Sequence, residues 1–319
     1  METTQLKTTQ LGSTGMEITR VGFGAWALGG GDWEFGWGPQ DDQESIDAIH
    51  HALEQGVNWI DTAAAYGFGR SEQVVGRALE GLERRPYVFT KCSLVEGPGR
   101  RVEHSLERDS VLREAEASLE RLGVDAIDLY QIHWPIPEAD IEQGWAALAE
   151  LKEQGLVRHI GVSNFDVDQL RRIQSIAPVE TLQPPYALVE REVEAEILPF
   201  AEAAGIGVIV YSPMGSGLLT GKMTRERIAN MGDDDFRKRD PRFQEPQLSR
   251  HLALVERLKT VAERHDTTPG AVAIAWTLRN PAADGAIVGF RRPDQVDPLL
   301  PAAGLDLTDE DIAEIEEDR

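Results

Sequence analysis

The chain has 319 residues, a net charge of −23 and one cysteine, Cys92. Such a charge repels polyanions and excludes broad binding to nucleic acid or anionic membranes, while a single cysteine excludes an internal disulfide and fits a reducing compartment. The N-terminal METTQLKTTQLGSTG has neither a basic start nor an apolar run, and no stretch is long and apolar enough to span a bilayer, so the expected location is cytoplasmic.

The basic residues are six Lys and twenty-six Arg, a bias that reads either as adaptation to high salt or as ordinary Arg-rich coding. In chain order, residues 6–11 and 16–20, joined by Gly12-Ser13-Thr14-Gly15, predict a small β-hairpin. Strand-like runs follow at 18–23, 57–61, 87–91, 127–133, 159–163, 181–183, 207–211 and 285–289. Between them lie helical spacings: Ile46, Ile49 and Leu53; Val75, Leu79 and Leu82; Val111, Ala115, Leu119 and Leu122; Trp145, Leu148 and Leu151. Asn164-Phe165-Asp166 and Thr268-Pro269 carry helix-start signals, and Gly56, Gly123, Gly155 and Gly205 suit left-handed helix ends. Two irregular stretches, 29–40 and 214–247, are long enough to be functional loops. A last helix, 309–317, lies outside the repeat.

Eight strand–helix alternations predict a single (β/α)8 barrel over residues 1–319, capped by the N-terminal hairpin and carrying an extra C-terminal helix; a doubly wound open sheet is the rival. In such barrels chemistry sits at the C-terminal strand ends. Asp61, Lys91 and His133 end the second, third and fourth runs, and Tyr66 lies five residues past Asp61. A tyrosine has a pKa of about 10, and lowering it by roughly two to three units requires about 3 to 4 kcal/mol of preference for phenolate. An adjacent Lys91 ammonium would supply this, with Asp61 as its counter-charge and His133, neutral and held by a backbone partner, orienting a substrate oxygen. Singly, each residue reads equally as a cap, a packing tyrosine, a rim charge or a core histidine; their convergence on one rim points to proton transfer.

These residues also carry a resemblance. Asp61-Thr62-Ala63-Ala64-Ala65-Tyr66-Gly67 with Ser71-Glu72 and Val75-Gly76, Phe89-Thr90-Lys91, Leu129-Tyr130-Gln131-Ile132-His133-Trp134-Pro135 and Gly161-Val162-Ser163-Asn164-Phe165 are similar to blocks of the aldo-keto reductases, in family order. Trp26 to Gly30 and Tyr66-Gly67-Phe68-Gly69 resemble the bacterial general-stress and inositol-related members. The resemblance implies a catalytic tetrad of Asp61, Tyr66, Lys91 and His133, a nicotinamide cofactor across the barrel top, and Tyr66 protonating a carbonyl oxygen as hydride reaches its carbon. It further implies that Ser163, Asn164 and Gln183 hold the carboxamide and that Tyr211 stacks on the nicotinamide.

Ser212, Pro213, Ser216, Gly217, Leu218 and Lys222 lie in a glycine-rich loop after the seventh strand, a place where barrels bind phosphate. After the eighth strand come Gly289, Phe290, Arg291, Arg292 and Gln295, with Pro293 opening a helix; two arginines there suit the 2′-phosphate of NADP(H). Leu299 stands where the family often has an adenine-contacting Asn, so NAD(H) stays open beside NADP(H). Gly22-Phe23-Gly24-Ala25-Trp26-Ala27 imitates a dinucleotide fingerprint, but Gly29-Gly30-Gly31 cannot open a helix, so Gly24 and Trp26 are placed at the pocket floor instead. Trp26, Trp33 and Trp134 are expected to wall the substrate pocket. Trp33, Phe35 and Trp37 form either a lid or rim packing, and Cys92 is expected in the core. No His/Cys/Asp cluster has metal-ligand spacing. The expected partner is a small carbonyl or alcohol, with neither nucleic acid nor membrane; the oligomeric state stays open, a monomer included. Two other classes compete: a non-catalytic nucleotide-binding regulatory subunit, and a barrel lyase or isomerase using Lys91 as a Schiff base.

Overall fold

The computed structural model describes residues 6–317. Eight parallel strands close into a barrel in sequential order: β1 (Val21–Gly24), β2 (Trp59–Asp61), β3 (Tyr87–Cys92), β4 (Ile127–Ile132), β5 (Val157–Ser163), β6 (Thr181–Gln183), β7 (Gly207–Tyr211) and β8 (Gly285–Gly289). Helices α1 (Asp42–Glu54), α2 (Arg70–Leu79), α3 (Arg108–Leu122), α4 (Ile141–Glu153), α5 (Val167–Gln174) and α6 (Ile197–Ala204) each cross from one strand to the next. Between β7 and β8 lie α7 (Arg225–Ala229), α8 (Gln247–Arg264) and α9 (Pro269–Leu278), and α10 (Asp309–Ile315) follows β8. The closed order excludes the open doubly wound sheet.

The helix-end signals act as expected. Asp166 caps α5 through a reciprocal box with Gln169, and Thr268 caps α9 ahead of Pro269. Gly56, Gly123, Gly155 and Gly205 all have positive φ just past helix ends. The first strand differs from expectation. Residues 17–19 pair antiparallel with Thr8–Gln10, and the barrel strand starts only at Val21. Ile18 is thus part of the cap, where Leu11, Met16 and Ile18 plug the barrel bottom against Trp59, Phe89, Leu129, Ile209 and Ile287.

Strand side chains alternate with period two, so the residue two steps beyond each of these plugs also faces inward. That rule carries Trp59 to Asp61, Phe89 to Lys91, Leu129 to Gln131 and Ile209 to Tyr211, placing a polar layer directly above an apolar one. Glycine makes the apolar layer possible: a Cβ at Gly22 would lie 2.0 Å from the Trp59 ring. The outward residues build a second core against the helices, and there Cys92 is buried as expected. A further hairpin, Leu94–Glu96 with Val102–His104, rises from β3 beside the upper rim.

Candidate active site

Asp61, Lys91, Tyr66 and His133 meet at the upper end of the barrel. Lys91 Nζ donates to Asp61 Oδ1 at 2.6 Å, to the Thr62 carbonyl at 2.8 Å and to the Tyr66 hydroxyl oxygen at 3.4 Å. Three acceptors use all three ammonium hydrogens, which is the pattern of a charged lysine. Because Tyr66 accepts from Lys91, its own proton is not spent on the lysine. The Tyr66 and His133 rings meet edge-on at 5.7 Å. Asp61 Oδ2 accepts from Gln183 Nε2 at 2.9 Å, and Gln131 lies 3.4 Å beyond on the same amide.

The electrostatics correct one expectation. Burial, then the Asp61 carboxylate and Tyr211, push the Tyr66 phenol well above its ordinary value rather than below it. The Lys91 ammonium, its charge matched by Asp61 at 2.6 Å, does not outweigh them. Burial lowers Lys91 and raises Asp61, and each holds the other charged against that trend. The phenol is therefore a fully protonated donor. Burial, then Lys91 and His104, hold His133 well below the usual imidazole range, so it is neutral at physiological pH. Its Nδ1 is buried with no partner among the described residues, which replaces the expected backbone partner. The anchor runs through its backbone instead: His133 N donates to Cys92 O at 3.1 Å and His133 O accepts from Asn164 Nδ2 at 2.9 Å.

Beside the tetrad lies a polar shelf. Ser163 Oγ donates to Gln183 O at 2.7 Å, Asn164 Nδ2 to Ser163 Oγ at 3.1 Å, and Tyr211 OH to Asn164 Oδ1 at 2.8 Å. Gln183 spends one amide hydrogen on Asp61, a link not anticipated from sequence. After β7, Ser212, Gly215, Ser216 and Gly217 all have positive φ and curl the chain. The Ser216 hydroxyl there is buried with no partner among the described residues, a donor suited to an anionic oxygen. Pro213 is buried, Leu218 anchors the loop beneath with Met223, Phe243 and Leu248, and Lys222 is exposed. Sequence reasoning missed Arg237. It is buried beside this loop, held by Asp235 and lying 4.5 Å over the Trp37 ring. The basic run at 237–239 in so acidic a chain was the available signal.

After β8, Pro293 opens only a three-residue 3-10 turn, Pro293–Gln295, rather than the expected helix. The Gln295 side chain accepts from the Arg291 and Arg292 amides at 2.7 and 3.2 Å, so those donors are already used. Phe290 is fully buried against Phe23, and Leu299 packs over Gly270. Arg291 binds the 29–40 loop: Nε to Gln40 Oε1 at 2.6 Å, Nη1 to Trp37 O at 3.3 Å and Nη2 to Pro39 O at 2.5 Å. Arg292 is exposed and paired with Asp294 at 3.0 Å, and Lys222 also draws the Asp294 carboxyl down.

In the structure the 29–40 loop is held against the rim by side chains from distant segments. Arg100 donates to Asp32 O at 2.6 Å, Arg239 to Glu34 O at 2.7 Å and Arg70 to Gln40 O at 2.6 Å, alongside the Arg291 bonds. An irregular loop must find donors for its carbonyls, and arginines from distant segments supply them. Trp33 is buried against Tyr66 with a 6.3 Å ring separation, and Trp26 stacks between Tyr66 and Phe236 at 6.1 and 4.9 Å. Gly24 lies below, where a Cβ would meet Ile287 at 2.8 Å. Trp134 is 38% exposed at the rim.

Comparison with known proteins shows the family. Residues 20–318 match the family described as the aldo/keto reductase family. The chain is 41% identical over 310 residues to the aldo-keto reductase YhdN of Bacillus subtilis (strain 168), covering 96% of this chain and 92% of that one. It is 36% identical over 320 residues to the NADH-specific methylglyoxal reductase of Escherichia coli (strain K12), covering 96% of each. Among solved structures, the glycerol dehydrogenase AKR11B4 from Gluconobacter oxydans superimposes with a TM-score of 0.88 at 36% identity, covering 99% of this chain and 95% of that one.

Proposed function

This chain belongs to the aldo/keto reductase family, carbonyl oxidoreductases that use a nicotinamide cofactor, and from that premise we propose that Tyr66 is its general acid and NADP(H) its preferred cofactor. The observation that carries the reading is the Lys91 ammonium, which donates to Asp61, Thr62 O and the Tyr66 oxygen together, leaving the phenolic proton unused by the lysine.

The bound nicotinamide supplies or accepts the hydride. Tyr66 gives its proton to the carbonyl oxygen as negative charge develops there, and Lys91 stabilises the phenolate that remains. Neutral His133, edge-on to Tyr66, holds that oxygen by hydrogen bonding. Asp61 keeps Lys91 charged in a dry site. Trp26, Trp33 and Trp134 exclude water around a small carbonyl or alcohol substrate. Ser163, Asn164, Gln183 and Tyr211 hold the nicotinamide end. Ser212 to Leu218, with Lys222, Arg237 and Arg292, would hold the phosphates.

NADP(H) preference rests on Arg292 and Lys222 converging on Asp294, since Arg291 is engaged by the 29–40 loop. An exposed Arg292–Asp294 pair is worth little and yields readily to a phosphate. One relative named for NADH specificity makes the comparison of cofactors necessary. Quenching of tryptophan fluorescence should give tighter binding of NADPH than NADH; equal affinity would remove the 2′-phosphate role. With NADPH doubly deuterated at C4 and 4-nitrobenzaldehyde, deuterium should appear on the carbinol carbon of the product. Product without deuterium would refute direct hydride transfer.

A further inference from the structure

Outside the tetrad, on the helix side of β3, a half-buried carboxylate reaches the substrate pocket through one serine. We propose that Glu114, on α3, is a positioning residue for Trp134, in the pocket wall beside His133, acting through Ser93. The inference rests on the reading of that wall as the substrate site.

Ser93 follows the end of β3 and is fully buried, with φ of +80, a conformation that non-glycine residues keep only when surrounding bonds hold it. Those bonds converge from separate elements. The Ser93 amide donates to Glu114 Oε2 at 3.0 Å, and Glu114 Oε1 is itself fixed by Ser110 Oγ at 3.2 Å. Ser93 O accepts from Ser105 N at 3.1 Å, closing the hairpin beside the pocket. Ser93 Oγ lies 3.3 Å from both the Trp134 amide and the Trp134 carbonyl, able to accept from one and donate to the other. One residue earlier, Cys92 O accepts from His133 N at 3.1 Å. Lys91, Cys92 and Ser93 thus link the catalytic lysine, the His133 backbone and Trp134 in three consecutive residues, and Glu114 secures the last.

A carboxylate binds the Ser93 amide more strongly than a neutral acid does, because the acceptor is charged. Burial pushes the Glu114 carboxyl up to about 7, aided by Glu72 and opposed by the bonds from Ser110 and Ser93 and by Arg121. Cys92 and Tyr130 are the other titratable groups facing it, and both stay protonated there because burial raises them further. The hold on Ser93 is therefore strongest above neutrality and weakens in mild acid. Trp134 feels the change at its exposed edge, where a bulky substrate leans and a small one does not.

The test compares wild type, Glu114→Gln and Ser93→Ala with 4-nitrobenzaldehyde and with propanal at saturating NADPH. Weakening the Ser93 amide bond to a neutral acceptor, or removing the Ser93 hydroxyl bonds to Trp134, should raise KM for the aromatic aldehyde about fivefold, with kcat and the propanal KM within about twofold. In wild type the aromatic KM should rise as pH falls through about 7. In Glu114→Gln it should stay high and flat, and Glu114→Asp should restore part of the pH dependence. Equal loss for both aldehydes, or an unchanged aromatic KM in both variants, would overturn the proposal. Tyr66→Phe run alongside separates the failures: its retained turnover would sink the tetrad reading, whereas the ratio of the two KM values judges Glu114 alone.

Discussion

Replacing Asp61 by Asn isolates the buried ion pair at the heart of the site. Lys91 Nζ and Asp61 Oδ1 are 2.6 Å apart, with side-chain exposures of 0% and 3%. At an effective dielectric near 20, charges this close attract by about 6 kcal/mol, set against the cost of taking both from water. The introduced carboxamide could still accept from Gln183, but it would then turn its NH2 toward the lysine, donor against donor. Lys91 must shed its proton or remain unpaired, and the expected loss in unfolding free energy at pH 7 is about 3–5 kcal/mol. Urea titration followed by tryptophan fluorescence measures it. Adding Lys91→Met removes the stranded charge and should recover at least half of that loss while leaving carbonyl reduction abolished. A single Asp61→Asn variant within about 1 kcal/mol of wild type would refute the reasoning, because it would mean that water reaches the pair.

Three further outcomes follow from the same structure. Gly22→Ala puts a methyl 2.0 Å from the Trp59 ring inside the barrel, so it should cost at least about 1–3 kcal/mol in thermal or urea unfolding. Burial works against the Glu180 charge, yet hydrogen bonds from His159, Lys152 and the Ile160 amide hold its carboxyl down at about 2. Its contribution is present above the ordinary carboxylate range and lost as pH falls toward 2. Glu180→Gln should therefore cost on the order of 2 kcal/mol at pH 7, discounted for the half-exposed Lys152, and nothing near pH 2. Glu114 has the opposite sign: its raised carboxyl stabilises the fold in acid, and that contribution fades as pH rises from the ordinary range through about 7. Wild type should lose about 2–3 kcal/mol relative to Glu114→Gln between pH 5 and 8; parallel stability curves would contradict the assignment.

The barrel was legible from its eight strand–helix alternations, and period-two alternation accounts for where Asp61 and Lys91 point, while Tyr66, on a loop, was placed by its position after a strand end and by the family resemblance. Once Trp59, Phe89 and Leu129 are inward plugs, Asp61, Lys91 and Gln131 must also point inward, one layer higher. Capping chemistry at Asp166 and Thr268 was equally local. What escaped depends on the approach of distant segments. Arg239 bonding Glu34 O, Arg291 bonding Pro39 O and Arg237 lying over Trp37 join residues about two hundred positions apart or more, and no local pattern reports them. The hairpin Leu94–Glu96 with Val102–His104 was marked only by its Gly97-Pro98-Gly99 turn. The direction of the Tyr66 shift escapes a reading that counts Lys91 but neither the cancelling Asp61 charge nor the burial. The C-terminal helix is shorter than expected, Asp309–Ile315, and pins to α8 through Arg264 and His265 on Asp311.

The most direct test of the central claim is Tyr66→Phe, with NADPH affinity and NADPH-dependent reduction of 4-nitrobenzaldehyde both measured. The change removes one hydroxyl whose described bond is to Lys91, so the barrel and cofactor affinity should be kept. Turnover should fall by about 10²–10⁴, the range for losing a general acid. Turnover equal to wild type with intact NADPH binding would remove Tyr66 from the chemistry.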